Sequence, residues 1–271
     1  MKACDFEFNG KRLSDFGFVI CSFGDKGLET ISNGATVTFS TTPVLNGAHH
    51  RLINVAYEEC LTCTIQICLN PCKTNTMEIS PTTFRSLTEW LCRKKFLKFK
   101  LLDEHNIDLY HEAIINVSRI EIDGKIVGLE LEVETNRPFA LKEPKLITIN
   151  NTTQNGTHSI NDISYEEGHI YPYTEIIIGN IDDLPNEEKY LRIYNAMEDR
   201  ETYIANVSTG EVITMDYPVI TSSLPSHNIQ NDFNWTFFRV ANTYENSRND
   251  LTISIPCTIK VKYSPIVKVG L

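Results

Sequence analysis

Basic charge is scarce in this sequence. Its 25 lysines and arginines are outnumbered by 35 aspartates and glutamates, leaving a net charge of −10. That balance argues against non-specific binding to nucleic acid or anionic lipid, because either needs clustered cations. Long apolar runs are missing too, and none approaches the roughly 20 residues that cross a bilayer as a helix. The start Met1-Lys2-Ala3-Cys4-Asp5-Phe6-Glu7 has no apolar stretch after its one lysine, so neither a signal peptide nor a membrane span is expected. A nucleophile elbow, a phosphate-binding glycine loop and a His-Glu-x-x-His helix are all lacking. The expectation is a soluble protein that is not an enzyme, with no catalytic residues, no metal site and no cofactor.

What is present suffices for folding. A chain of 271 residues is long for one domain and comfortable for two, and 41% hydrophobic with 10% aromatic residues allows each half a core. The eight cysteines are expected to stay reduced in a cytosol, and the sequons at Asn116, Asn151, Asn155, Asn206 and Asn234 read as ordinary turn and strand residues.

Along the chain, Phe6-Glu7-Phe8, the turn Asn9-Gly10 and Phe16 to Ile20 predict an opening β-hairpin. Polar loops are expected from Gly24 to Gly34 and from Thr42 to Arg51, around a short strand Thr36 to Phe39. Tyr57 to Leu69 alternates and predicts one long half-buried strand, with Leu61, Cys63, Ile65, Ile67 and Leu69 on one side. Ser80 as cap, Pro81 in the first turn, and Phe84, Leu87, Trp90 and Leu91 at helical spacing predict a helix. Strands Phe96 to Leu102 and Asp108 to Val117 follow. A hairpin turning at Asp123-Gly124 comes next, with Ile120 and Ile122 expected on the face of Val127, Leu129, Leu131 and Val133.

Past Asn136-Arg137-Pro138 the composition changes, and Asn150 to Asn161 reads as loop or linker. Further strands are expected at Glu175 to Ile178, Tyr190 to Tyr194 and Trp235 to Val240. A hairpin is predicted from Tyr203 to Met215, turning at Ser208-Thr209-Gly210. Leu251 to Tyr263 alternates as one strand with Ile253, Ile255, Cys257, Ile259, Val261 and Tyr263 inward, and Pro256 suggests an edge or a bulge. The fold class is mainly β, ending in an antiparallel sandwich, with domains at 1–141 and 142–271.

Several clusters invite chemistry. Cys60, Cys63, Cys68 and Cys72 are close enough to suggest zinc, but on one strand Cys63 points away from Cys60 and Cys68, so the thiolates do not converge. His49-His50 reads as a solvated loop. The acid pairs Asp103-Glu104, Glu166-Glu167, Asp182-Asp183 and Glu187-Glu188 read as solvated turns rather than a glycosidase pair. Of the aromatics Trp235, Phe237, Phe238 and Tyr244, most are expected in a core; any exposed together would stack on a sugar.

Taken in order, Phe8-Asn9-Gly10, Ser14-Asp15-Phe16-Gly17, the helix ending Trp90-Leu91, and Gly128-Leu129 to Pro138-Phe139-Ala140 resemble the distal tail protein of long-tailed bacteriophages. So do Phe96-Leu97 and Tyr110, Gly168-His169-Ile170-Tyr171-Pro172, Ile193-Tyr194-Asn195, Thr209-Gly210-Glu211 and Asn249. The resemblance implies an N-terminal belt domain with one helix that closes into a homohexameric ring, and a C-terminal galectin-like sandwich outside it. It implies a virion protein made in the bacterial cytoplasm, joining the tail tube protein to the tail-tip hub of the baseplate and, in many phages, to receptor-binding proteins. The polar loops Gly24 to Gly34 and Thr42 to Arg51 would order on assembly, and the acidic loop Asn180 to Lys189 would project toward a partner. Two rivals stay open: a carbohydrate-binding accessory module, using exposed Trp235 or Tyr244, and a cell-wall hydrolase.

Overall fold

The computed structural model describes residues 5–23, 37–44, 49–57, 60–74, 76–103, 108–243 and 245–268. The chain is mainly β and its sheets are antiparallel. It divides into two compact units, Met1–Lys142 with Val267–Leu271, and Glu143–Ile266.

The first unit holds β1 (Asp5–Phe8), β2 (Lys11–Arg12), β3 (Phe18–Cys21), β4 (Val37–Pro43), β5 (His50–Tyr57) and β6 (Thr62–Leu69). The helix α1 (Pro81–Leu91) follows, then β7 (Leu97–Leu102), β8 (Leu109–Ile122), β9 (Lys125–Thr135) and β10 (Ala140–Lys142). The main sheet runs β2-β1-β7-β8-β9-β6-β3. Asn9 and Gly10 both take positive φ, and β1 does turn back, but only onto the two residues of β2. The expected second strand of that hairpin, β3, lies instead at the far end of the sheet against β6. A 3-10 turn at Leu13–Phe16 makes the separation, with Gly17 left-handed at φ 78°.

The helix forms as the sequence predicts. Ser80 Oγ accepts the Thr83 N–H at 3.1 Å, and Leu87, Trp90 and Leu91 are buried. Trp90 stacks on Phe16 at 4.5 Å and Phe6 at 5.8 Å, and its indole N–H donates to the Phe8 carbonyl at 2.9 Å. That bond satisfies the ring's one donor inside the core. The hairpin β8–β9 turns at Asp123-Gly124, both at positive φ. Its register shifts beside Ile120, where β9 carries the extra residue Val127. Ile115 and Val117 therefore face Val133 and Leu131, Arg119 faces Leu129, and Ile122 is exposed, contrary to the single apolar face expected of Ile120 and Ile122.

Tyr57 to Leu69 is two strands rather than one: β5 ends at Tyr57 and β6 starts at Thr62. Within β6 the predicted alternation is present, with Ile65 and Ile67 buried between outward Thr64 and Gln66. The loop expected from Thr42 to Arg51 carries the end of β4 and the start of β5. Gly24 to Gly34 lies outside the described residues.

The second unit contains β11 (Lys145–Asn151), β12 (Gly156–Asn161), β13 (Gly168–Ile170), β14 (Tyr173–Ile178), β15 (Leu191–Asn195) and β16 (Arg200–Ile204). It continues with β17 (Val212–Asp216), β18 (Val219–Ser222), the single turn α2 (Ile229–Asp232), β19 (Val240–Asn242), β20 (Arg248–Ile253) and β21 (Cys257–Tyr263). One sheet runs β11-β21-β14-β17-β18 and the other β12-β20-β15-β16. Inward residues of both, among them Ile176, Ile259, Ile193 and Leu251, form one core cluster, which makes the unit a sandwich.

The chain changes sheet at places the sequence reads as continuous. The predicted hairpin from Tyr203 to Met215 does turn at Ser208 to Glu211, but β16 pairs with β15 in one sheet and β17 with β14 in the other. Leu251 to Tyr263 likewise splits at Ser254-Ile255-Pro256 into β20 and β21. Pro256 sits in the crossing, and β21 is an interior strand, not an edge. Every residue predicted inward from Ile253 to Tyr263 is nonetheless buried. Gly179 N–H donates to the Pro256 carbonyl at 2.9 Å, and a Cβ at 179 would stand 2.9 Å from that oxygen.

Asn150 to Asn161, expected as linker, supplies the end of β11 and all of β12. β11 turns Ile147 and Ile149 to the core and β12 turns Ile160, and buried Asn151 donates to the Ile255 carbonyl at 2.7 Å. A short strand β22 (Ile266–Val267) ends the described chain, and its Val267 is buried with Leu109 and Ala140 of the first unit.

Candidate assembly surfaces

The four cysteines Cys60, Cys63, Cys68 and Cys72 do not converge. Cys63 lies on the core side of β6 and Cys68 on the other, while Cys60 and Cys72 are exposed outside the strand. Burial pushes the Cys63 thiol up to about 11 and that of Cys257 to about 12. Cys21 rises to about 12, first through burial and then through the neighbouring Cys68 sulfur. Thiols held protonated are poor metal ligands and poor nucleophiles. Among the described residues no group of three His, Cys, Asp or Glu side chains is placed to hold a metal ion.

His50 opens β5, with Nδ1 3.4 Å from Thr41 Oγ1, so the His pair lies at a strand start rather than in the expected loop. In the acidic stretch from Asn180 to Lys189, Ile181 is buried and Asp182 accepts the Thr209 hydroxyl at 2.7 Å. Both contacts hold the stretch to the sandwich. Glu104 and Tyr244 lie outside the described residues.

The aromatics divide. Phe237 and Phe238 are buried as expected, but Trp235 is 58% exposed and takes φ 56°, a conformation side chains with a Cβ avoid. Asn234 holds it there. Its Oδ1 accepts the N–H groups of Tyr203 and Thr236, and its Nδ2 donates to the Glu201 carbonyl. Of the strand predicted from Trp235 to Val240 only Val240 is in a strand, as the first residue of β19; Trp235 lies in this turn and residues 236–239 are irregular.

The ribbon β4–β5 forms a sheet of its own, apart from the main sheet. Phe39 lies opposite Val55, and Ile53 is the extra residue where the register shifts after Ser40. Phe39 and Ile53 are 63% and 66% exposed. Two strands in water with no core on either face are marginally stable, so apolar groups at these positions call for a covering surface. Sequence reading missed the feature because a ribbon exposed on both faces has no core-facing alternation.

These features define a mainly β-protein that exposes apolar side chains on the β4–β5 ribbon. Residues 1–137 match the model described as a phage tail protein N-terminal domain, and residues 139–263 match that of a phage tail C-terminal domain. The chain belongs to this phage tail protein family and is a component of a phage tail. It shares the fold of the SPP1 Dit protein, whose crystal structure is described as a paradigm of the hub adsorption apparatus in phages infecting Gram-positive bacteria. That likeness has a TM-score of 0.58 at 10% identity and covers 97% of this chain and 99% of the other. None of the curated proteins compared with the chain matches it.

Proposed function

We propose that the protein is a distal tail hub: six copies close into a ring at the end of the tail tube and carry the tail-tip proteins. The ring is assigned to the N-terminal domain, residues 1–141 by the sequence boundary. The sandwich of 142–271, a galectin-like domain, serves as an attachment platform, with the tail tube protein, the tail-tip hub and receptor-binding proteins as partners. Catalysis has no part in this role. The protein is made in the host cytoplasm.

The observation that carries the ring is the β4–β5 ribbon. A ring needs a surface on one copy that fits a different surface on the next. Phe39, Ile53 and Val55 give such a surface, and membership of a tail family supplies a setting in which a repeated neighbour is present. The purified protein is expected to show, by light scattering, six times the 30.9 kDa of the chain, and a six-fold ring in negative-stain images. Phe39→Ser with Val55→Ser is expected to shift the mass toward the monomer while leaving the circular dichroism unchanged. A wild-type monomer at every concentration, alone and with purified tail tube protein, would remove the ring.

A further inference from the structure

In the second unit two exposed rings lie face to face. Tyr171 and Tyr217 have centroids 4.4 Å apart and planes 20° from parallel, and they are 37% and 56% exposed. Tyr217 sits in the tight turn between β17 and β18. The Phe237 ring meets it edge-on at 5.3 Å and 86°, joining it to the core. The pair is therefore fixed from below while part of its surface faces water.

Polar groups border the rings. Arg239 Nη1 donates to the Tyr171 hydroxyl at 3.3 Å, and Arg239 Nε donates to both Glu198 oxygens at 2.9 and 3.2 Å. His169 Nδ1 stands 3.1 Å from Glu198 Oε1, and the Glu198 side chain is 8% exposed against 48% for His169. Glu198 thus orients a guanidinium and an imidazole from a sheltered position. His169, Glu198, Tyr217 and Arg239 come from four separated stretches of chain that the fold brings together.

We propose that this surface binds a saccharide: a pyranose stacks its C–H face on the exposed part of the Tyr171/Tyr217 pair and hydrogen-bonds its hydroxyls to His169, Arg239 and the Tyr171 hydroxyl. Stacking on a fixed aromatic matches the apolar face of a sugar ring, and oriented polar groups at the rim match its hydroxyls. A protein partner fits less well. A protein interface covers about 800 Å² per side and its core is depleted in charge, whereas these rings are bordered at once by Glu198, Arg239 and His169. Trp235 is more exposed, but among the described residues its ring partner is a tilted Phe233. The inference goes beyond ring formation and does not depend on it; a monomer that binds sugar would keep this proposal and sink the other.

The test is saturation-transfer NMR on the full chain with the methyl glycosides of N-acetylglucosamine, galactose and glucose, each at about 10 mM. At least one is expected to give signal. Tyr217→Ala and Tyr171→Ala are each expected to weaken it at least about tenfold, while Tyr217→Phe and Trp235→Ala retain it. If Tyr217→Ala fails to fold by circular dichroism, Tyr171→Ala and His169→Ala decide. No signal from any glycoside overturns the proposal, as does binding that survives the tyrosine substitutions or disappears with Trp235→Ala. Loss of binding to a purified tail protein in Tyr217→Ala, with no glycoside signal, also overturns it and assigns the surface to a protein partner.

Discussion

Trp90 on the helix donates its indole N–H to the carbonyl of Phe8, 82 residues earlier in the chain. Because the bond is buried and Phe8 ends β1, it ties the helix to the strand just before the chain turns away. Trp90→Phe keeps most of the stacking but leaves a buried carbonyl without its donor. The expected cost is about 1–3 kcal/mol, measured as a lower urea midpoint with an unchanged slope.

His111 is expected to make stability depend on pH. It is buried on β8, and burial lowers its pKa from 6.5 to about 4. Above pH 6.5 neither the folded nor the unfolded chain binds the proton. As pH falls from 6.5 toward 4 the unfolded chain takes it first, so stability declines over that window and levels off below it. The contribution is about 3 kcal/mol at most. His111→Leu should flatten the curve between these limits relative to wild type, read from urea midpoints at a series of pH values.

Glu211 carries a buried polar knot. Its carboxylate accepts from the Ser222 hydroxyl and the Ser208 N–H and stands 2.5 Å from His227 Nδ1. His227 Nε2 lies 3.3 Å from Asp232 in α2. Glu211→Ala strands several buried groups together and is expected to cost about 3–5 kcal/mol. Glu211→Leu with His227→Leu should recover part of that loss; a double-mutant cycle with zero coupling would show that the groups act separately.

Gly179→Ala should destabilise the sandwich, because the new methyl meets the backbone of Pro256, which cannot rotate aside as a side chain would. A fall in melting temperature is expected, together with faster amide exchange at Cys257 to Ile259. Gly210→Ala, in a left-handed turn with open space around it, should be destabilised by its backbone conformation alone and leave those amides protected.

Local signals were legible. Ser80 and Pro81 marked the helix start, Asp123-Gly124 marked its turn, and the alternation from Ile253 to Tyr263 named the buried residues correctly. Hydrogen-bond partners were not. Alternation reports which side of a strand meets the core and is silent on which strand lies beside it. Hence the crossings at Ser208 to Glu211 and at Pro256 read as a hairpin and a bulge. Asn150 to Asn161 read as linker because its single inward isoleucine, Ile160, is too sparse a pattern. The grouping of His169, Glu198, Tyr217 and Arg239 had no local sequence signal at all.

Val267 gives the second unit a non-covalent tie to the first in addition to the covalent one at Lys142. A protease that cuts once near Lys142 would leave the halves of the molecule still joined through the strand in which Val267 packs with Leu109 and Ala140. A fragment ending at Leu141 lacks that strand, so its failure to assemble would speak of a missing plug rather than of a missing platform. A load applied to the sandwich reaches the first unit by two routes, the backbone at Lys142 and the packing of Val267.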